Sequence, residues 1–330
     1  MEPFAFSLPT NLIMGKERYD EVGEHCAKLG KKVLLHYGGG SIKRNGVYDR
    51  VVASLKAAGL EIVELGGVKP NPRVELVREG IELCKKEGVD MVLAVGGGSV
   101  IDSGKGIAVG ALTDIDIWDY YCGKVVADKA LPVGVVLTIP AAGSECSPVT
   151  VVTKMDTHDK RSFHNDLVIP RFAIVAPDVF TTLPKHQIAN ATIDVISHTL
   201  ERFFSDSTGV TLMDRFCIAT VENAMQQGLY LYDHPDDVDA WADFALTATV
   251  AQNGFLGQGR KEDWGTHGIG HEMSSFYDMA HGASLAIATP CLDALCVQGK
   301  AGAFCAICSR NHAHLYPRRA ASHRNVHQGF

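Results

Sequence analysis

Short apolar runs alternate with helical patterns through the first half of the chain. The run 32–37 (KVLLHY) predicts a strand, and Val47, Val51 and Leu55 then recur at helical spacing. The same reading predicts strands at 61–65, 91–95, 131–138 and 172–176, and helices at 74–86 and after residue 98. Strands that alternate with helices of this length predict βαβ crossovers in a mostly parallel, doubly wound sheet.

The character of the pattern changes near residue 180. From about Leu183 onward the apolar positions follow helical spacing alone, through Ile193, Leu200 and Met213 and again from Trp241. We therefore expect an α/β domain at 1–180 and an all-helical domain at 181–290.

Composition and charge narrow the class of protein. Apolar residues make up 46% of the 330 and charged residues 21%, which is typical of a globular protein. Apolar runs are too short for a spanning helix, and Glu2 and Pro3 do not fit a secretory signal. The net charge of -7 argues against a nucleic-acid or anionic-membrane partner. We expect a cytoplasmic protein, with which five scattered cysteines before residue 290 agree.

Two predicted strands end in Gly-Gly-Gly-Ser, at 38–41 and 96–99, and a helical pattern follows each. Glycine lets backbone approach a phosphate closely, and a helix N-terminus adds N–H donors. The alternative is that the glycines only tighten two turns, and neither copy has the G-x-G-x-x-G spacing. The candidate cofactor-binding residues are Gly38, Gly39, Gly40, Ser41, Gly96, Gly97, Gly98, Ser99 and Asp102.

The first of these turns bears on which dinucleotide is bound. It lacks an acidic residue that would hold a ribose 2′-hydroxyl, and it is followed by Lys43 and Arg44. This chemistry favours NADP over NAD. NAD stays possible, because both basic side chains can equally be solvated.

The helical half contains a candidate metal site. Asp194 and His198 are four residues apart, as are His267 and His271. The two side chains of each pair therefore project from the same face of their helix. His281 follows ten residues after His271. A carboxylate with imidazoles suits Fe²⁺ or Zn²⁺. The alternative is that these histidines are ordinary surface or packed residues at a chance spacing.

Five segments together carry a resemblance to a known family: GGGSIKRNGVYD, AVGGGSVIDSGKGIA, TIPAAGSE, IDVISHTLERF and THGIGHEMSSFYDMAHGASLAI. In this order they resemble the iron-activated (group III) alcohol dehydrogenase family, in its butanol-dehydrogenase-like branch, over about residues 1–290. The resemblance implies a Rossmann-like α/β N-terminal domain and an all-helical C-terminal domain with the active site between them. It also implies hydride transfer between NADP and small aliphatic aldehydes or primary alcohols, and a homodimer.

The resemblance also implies roles for individual residues. Thr138 matches the segment that lines the nicotinamide side, and Lys160 matches a basic position near the cofactor. His271 matches a histidine near substrate and nicotinamide, where it can relay a proton. Ala142 stands where the family usually has threonine. The implied ligands of Fe²⁺ or Zn²⁺ are Asp194, His198, His267 and His281.

The resemblance stops after Pro290, and the last forty residues differ from the rest. They carry a charge of +4, four of the nine cysteines and four of the fourteen histidines. Codons can be chosen for 291–300 that give a family-like segment when read one nucleotide later, so we expect 291–330 to be a frameshifted tail. A metal knuckle around Cys305 and Cys308 is the alternative. The coding sequence tests this hypothesis.

Two other functions stay open at this point. If the tail replaces helices that cover residues 185–285, the chain would be an impaired relic that binds nucleotide or metal without turnover, and we expect weak or no activity. A dehydroquinate-synthase-type lyase shares the general architecture. The Asp194, His198, His267 and His281 set and the segment GHEMSS favour the dehydrogenase.

Overall fold

Six parallel strands form the central sheet of the N-terminal half. The computed structural model describes residues 1–291. The strands of this part of the chain are β1 (Asn11–Met14), β2 (Lys32–Gly38), β3 (Glu61–Val68), β4 (Met91–Gly96), β5 (Val133–Leu137), β6 (Val149–Lys154), β7 (Asp159–His164) and β8 (Phe172–Val175). The order of strands in the central sheet is β1-β8-β5-β4-β2-β3. The central strands β4 and β5 are buried along their whole length, as expected of parallel strands covered on both faces.

Helices cover the sheet and then make up the rest of the described chain. They are α1 (Val22–Ala27), α2 (Ser41–Arg44), α3 (Val47–Ala57), α4 (Val74–Glu87), α5 (Gly98–Gly110), α6 (Ile117–Tyr121), α7 (Lys185–Phe203), α8 (Thr211–Asp233), α9 (Val238–Gln252) and α10 (Gly265–Tyr277). Residues 281–291 are also helical, and between 185 and 291 there is no strand. The predicted fold class, an α/β sheet followed by a helical region, is confirmed.

Three of the strands, β1, β6 and β7, were not predicted by the sequence analysis. β1 has only four residues and pairs at the edge of the sheet with β8. β6 and β7 form a separate antiparallel hairpin. β7 reads DKRSFH and leaves most of its side chains exposed or half-buried, so it lacks the apolar pattern that marks a strand.

The sheet order creates a crevice where the chain changes direction. β2 and β4 are neighbours in the sheet. β3 lies next to β2 on one side of this pair, and β5 lies next to β4 on the other side. In open α/β sheets, ligands bind at such a switch point, outside the carboxyl ends of the strands. The glycine turns 38–41 and 96–99 begin at these two strand ends. Topology therefore brings the two candidate phosphate turns together.

Buried Lys105 and half-buried Asp102 tie α5 to the segment 144–151. The Lys105 ammonium donates to Ser144 Oγ at 2.9 Å and to the carbonyls of Ser147 and Val149, both at 2.8 Å. Asp102 accepts from Ser144 Oγ at 2.6 Å and from the Val151 N–H at 3.1 Å. Since all three ammonium protons are used, the helix that follows the second glycine turn is held firmly on this segment.

The domain limits stay predictions. Met1–Ala288 form one compact unit that includes both sides of the boundary expected near residue 180. The expected frameshifted tail, 291–330, lies outside the described residues except for Cys291. Within 1–291, none of the helices combines the length and hydropathy that crossing a bilayer requires.

Candidate active site

A cavity of about 950 Å³ connects the glycine turns with the helical half. It opens along the carboxyl ends of β2 and β4 and reaches the residues proposed from the sequence as metal ligands. All predicted site residues line it except Gly40, whose positive φ of 105° makes the turn into α2. The predicted residues along its wall are Gly38, Gly39, Ser41, Gly96, Gly97, Gly98, Ser99, Asp102, Thr138, Lys160, Asp194, His198, His267, His271 and His281.

The second glycine turn is tightly packed as well as permissive. A Cβ added at Gly97 would lie 3.0 Å from Cβ of Ile139, and one added at Gly98 would lie 2.9 Å from Cβ of Ala142. The glycines are therefore required by the close approach of segment 138–142, whether or not a phosphate is bound. Their backbone leads directly into α5, a helix of 13 residues, so phosphate binding and packing place the same demand on this turn.

Asp102 and Lys160 have protein partners inside the cavity wall. Both Asp102 oxygens accept hydrogen bonds from the segment 144–151, so this carboxylate positions the wall. Lys160 is buried and donates to Asn71 Oδ1 at 3.0 Å. Burial lowers the pKa of Lys160 to about 8, although Asp102 and Asp194 oppose the shift.

The metal-site candidates converge on one carboxylate oxygen. Asp194 Oδ1 lies 3.5 Å from His198 Nδ1, and 3.7 Å from Nε2 of both His267 and His281. The ligand atoms of Asp194, His267 and His281 lie within 4.8 Å of one another. His198, the fourth predicted ligand, is not part of this mutually close group, although it contacts Asp194 on the same helix and stacks on His267 with 4.5 Å between ring centroids.

The spacing and the unmet hydrogen bonds both fit a divalent ion. Four ligands arranged tetrahedrally at about 2.1 Å from a zinc ion are about 3.4 Å apart. This is close to the 3.5–3.7 Å between Asp194 Oδ1 and the three histidine nitrogens. Asp194 Oδ1, His198 Nδ1 and His267 Nε2 are buried with no hydrogen-bond partner. Buried polar atoms are otherwise almost always paired. A cation among these atoms would satisfy them together.

Burial also shifts the pKa values of the proposed ligands. It lowers the pKa of His198 well below its usual range and lowers that of His281 to about 3. Burial alone raises the pKa of Asp194, but facing His198 and His281 lower it overall. Near neutral pH His198 and His281 are therefore neutral rings beside a carboxylate, which is the protonation state that a metal requires. Burial also opposes the charge on His267, but its contacts with Asp194 and Glu201 raise its pKa overall.

A glycine allows His281 to approach this carboxylate. A Cβ at Gly282 would lie 2.1 Å from the carbonyl oxygen of Asn190, on the helix that carries Asp194. The helical segment after His281 therefore crosses α7 almost backbone to backbone. No larger residue fits there unless the two segments separate.

Several residues that support the site were missed by the sequence analysis. Glu201 contacts His267, and Arg202 donates to the backbone carbonyl of His198 at 2.9 Å. Glu201 and Arg202 lie seven and eight residues after Asp194, so the helical period could have found them. Farther away, Asp278 forms an ion pair with Arg73 at 2.7 Å and accepts from Asn71.

Comparison with known proteins identifies the family. Residues 9–177 match the family model described as iron-containing alcohol dehydrogenase. Residues 188–311 match the model of the C-terminal part of the Fe-containing alcohol dehydrogenase family. This match continues beyond Pro290, after which the sequence analysis expected the resemblance to stop.

The chain belongs to the iron-containing alcohol dehydrogenase family.

Individual members of the iron-containing alcohol dehydrogenase family resemble it over most of its length. NADH-dependent butanol dehydrogenase A of Clostridium acetobutylicum is 41% identical over 290 residues, which is 88% of this chain and 75% of that protein. The NADPH-dependent aldehyde reductase YqhD of Escherichia coli is 36% identical over 295 residues, or 88% and 76% of the two chains. The crystal structure of NADH-dependent butanol dehydrogenase A from Thermotoga maritima superposes with a TM-score of 0.90 at 43% identity, covering 92% of this chain and 77% of that one.

This iron-containing alcohol dehydrogenase is therefore an alcohol/aldehyde oxidoreductase, and the predicted family and enzyme class are confirmed. The choice between NADP and NAD, the choice between iron and zinc, and the role of each site residue are not decided by membership of the family. The homodimer and the cytoplasmic location stay predictions.

Replacing Gly282 with alanine tests how His281 is placed. We expect Gly282→Ala to lower the free energy of unfolding by about 1–3 kcal/mol, because its Cβ meets a backbone carbonyl. We also expect Zn²⁺ affinity, measured by chelator competition, to fall at least tenfold. Gly268→Ala on α10 is the matched control, since a Cβ there has no neighbour within 4 Å. Equal urea midpoints and Zn²⁺ affinities for the two variants would contradict this explanation.

Proposed function

We propose that this chain is an NADP-dependent, metal-dependent oxidoreductase that interconverts small aliphatic aldehydes and primary alcohols. One observation carries the proposal: buried, unpartnered ligand atoms of Asp194, His198 and His267 face the same cavity as the two glycine turns. A cation site and a dinucleotide site that share one cavity are what hydride transfer to a carbonyl carbon requires.

The proposal assigns a task to each part of the site. Asp194, His198, His267 and His281 would hold Fe²⁺ or Zn²⁺. When bound, the ion supplies a Lewis acid for the carbonyl oxygen and the nicotinamide supplies or accepts hydride. The glycine turns would bind the phosphates. Apolar side chains in the cavity wall, among them Val151, Phe163 and Trp264, suit an uncharged alkyl chain.

His271 is suited to move the proton that alcohol formation consumes. Its ring lines the cavity, with its centroid 5.4 Å from that of His281. Burial lowers its pKa well below the usual range, and the nearby Lys160 acts in the same direction. A neutral imidazole can donate from one nitrogen while it accepts at the other, which is the property of a relay.

The preference for NADP rests on the charge around the first glycine turn. Arg44 and Lys69 line the cavity there. The nearby Glu64 carboxylate instead accepts from the hydroxyls of Tyr37 and Tyr48, at 3.1 and 2.6 Å. Lys43 covers the same two rings, at 4.8 and 4.4 Å from their centroids. A 2′-phosphate would thus meet arginine and no facing carboxylate. Relatives named for NADH and for NADPH both occur, so the test must compare the two.

An anaerobic assay of butanal reduction tests the activity. We expect metal-stripped protein to be inactive, added Fe²⁺ or Zn²⁺ to restore NADPH oxidation, and Asp194→Asn to lose at least a thousandfold in kcat/KM, because the amide removes the negative ligand. The exposed Asp233→Asn is the control and should match the wild type. Cofactor binding without turnover in every metal condition would support the impaired relic instead.

Replacing Arg44 tests the cofactor preference. We expect Arg44→Ala to raise KM for NADPH about tenfold, which corresponds to about 1.4 kcal/mol, and to leave KM for NADH within twofold. Lys43→Ala, on the same short helix, should change neither value, because Lys43 packs on tyrosine rings. Equal effects of Arg44→Ala on both cofactors, or a wild type that prefers NADH, would contradict the NADP assignment.

The pKa of Lys160 predicts a pH dependence for cofactor binding. The side chain is cationic below pH 8 and loses its proton above it, and an anionic cofactor binds the cationic form better. We therefore expect NADPH affinity, followed by fluorescence titration, to be highest near pH 7 and to weaken above pH 8. In Lys160→Met this alkaline decline should be absent, and NADPH should bind more weakly than to the wild type. A variant that retains the full decline would assign it to another group.

A further inference from the structure

A third polar side chain, that of Glu201, projects from the face of α7 that carries the proposed metal ligands. Glu201 lies seven residues after Asp194 and three after His198, so the helical period places the three side chains on one face. Its side chain is 7% exposed. A carboxylate buried to this degree needs strong hydrogen-bond partners.

Both oxygens of that carboxylate are used by a single residue of α10. Oε1 accepts from the backbone N–H of His267 at 3.0 Å, and Oε2 makes a short contact with Nδ1 of the same ring. A carboxylate can only accept, so the proton of this contact is on Nδ1 of the ring. In the neutral ring, the opposite nitrogen, Nε2, then has a lone pair and no proton.

That lone pair points to the proposed metal position. His267 Nε2 is buried without a hydrogen-bond partner and lies 3.7 Å from Asp194 Oδ1. His281 also presents Nε2 to Asp194 at 3.7 Å, but its Nδ1 is buried without a partner. Of these two rings, only His267 therefore has its outer nitrogen held by a carboxylate.

We propose that Glu201 is a positioning residue that fixes the Nδ1–H tautomer and the orientation of His267, so that Nε2 is ready to bind the metal. The inference rests on the proposed function, because it assumes the metal site. Hydrogen bonds of this kind to metal-bound histidines typically change metal affinity by 10- to 100-fold when they are removed.

Glu201→Gln changes the hydrogen bonding while keeping the shape. The carboxamide has one accepting oxygen and one donating NH₂, but His267 presents two donors, its backbone N–H and Nδ1–H. If the NH₂ faces Nδ1, the ring must carry its proton on Nε2, directed at Asp194. If the oxygen faces Nδ1, the NH₂ opposes the backbone N–H. Either arrangement disturbs the ligand.

The matched control is another carboxylate close to the site. Glu262 accepts from Arg202 Nε at 3.0 Å and from the Trp264 indole at 2.9 Å, and none of its hydrogen bonds involves a proposed ligand side chain. Glu262→Gln therefore disturbs the same region without changing the hydrogen bonding of His267. Glu201→Asp keeps the charge but withdraws it by one methylene, which offers a second variant if Glu201→Gln does not fold.

The test measures Zn²⁺ affinity by chelator competition and the tautomer of His267 by imidazole ¹⁵N shifts in metal-free protein, assigned with His267→Gln. We expect Glu201→Gln to bind Zn²⁺ 10- to 100-fold more weakly than the wild type and to lose the Nδ1–H signature. The Zn²⁺ affinity of Glu201→Asp should lie between those of Glu201→Gln and the wild type. The affinity of Glu262→Gln should stay within threefold of the wild type. Unchanged affinity and tautomer in Glu201→Gln would overturn the inference alone. Wild-type protein that binds no Zn²⁺ or Fe²⁺ would overturn the proposed function and the inference with it.

Discussion

Asp194 places a buried carboxylate oxygen among imidazole nitrogens, and none of these atoms forms a hydrogen bond with another. Its Oδ1 has no donor, and the nearest histidine nitrogens lie 3.5–3.7 Å away. Each unpartnered buried polar group costs about 1–3 kcal/mol, and a charged one costs more. The cation that we propose at the centre of this cluster would offset this cost. Without it, the rest of the fold must hold these atoms together against the cost.

The two halves of the chain contribute different parts of the site. The sheet places two glycine turns at its switch point, where β2 and β4 end. The helices supply the proposed ligands, and α7 carries Asp194, His198 and the supporting Arg202. Asn71 links the halves, since its side chain accepts from Lys160 and donates to Asp278 and to the Met279 carbonyl, just before His281. His281, the last proposed ligand along the chain, is thus held next to the cavity by residues of both halves.

The sequence predicted most of this arrangement where a local pattern encodes it. Apolar periodicity located the central strands and the long helices, and the spacing of four between Asp194 and His198 placed both on one helix face. β7 was missed because its residues are mostly polar and its strand exists only by pairing with β6. Asn71 and Asp278 are 207 residues apart, so no local pattern reports their contact. Gly282 was not singled out, because its role depends on the path of another helix.

Burial explains why these contacts matter for chemistry as well as for stability. A histidine in water is partly protonated near pH 6.5, so a metal must compete with protons for it. Here burial lowers the pKa of His281 to about 3, so that ring is neutral well into the acid range. The same burial requires the ring orientations to be fixed by protein groups, since water cannot satisfy a misplaced nitrogen. Close helix packing at Gly282, which brings His281 toward Asp194, and the contacts of Glu201 with His267 supply this positioning from protein groups.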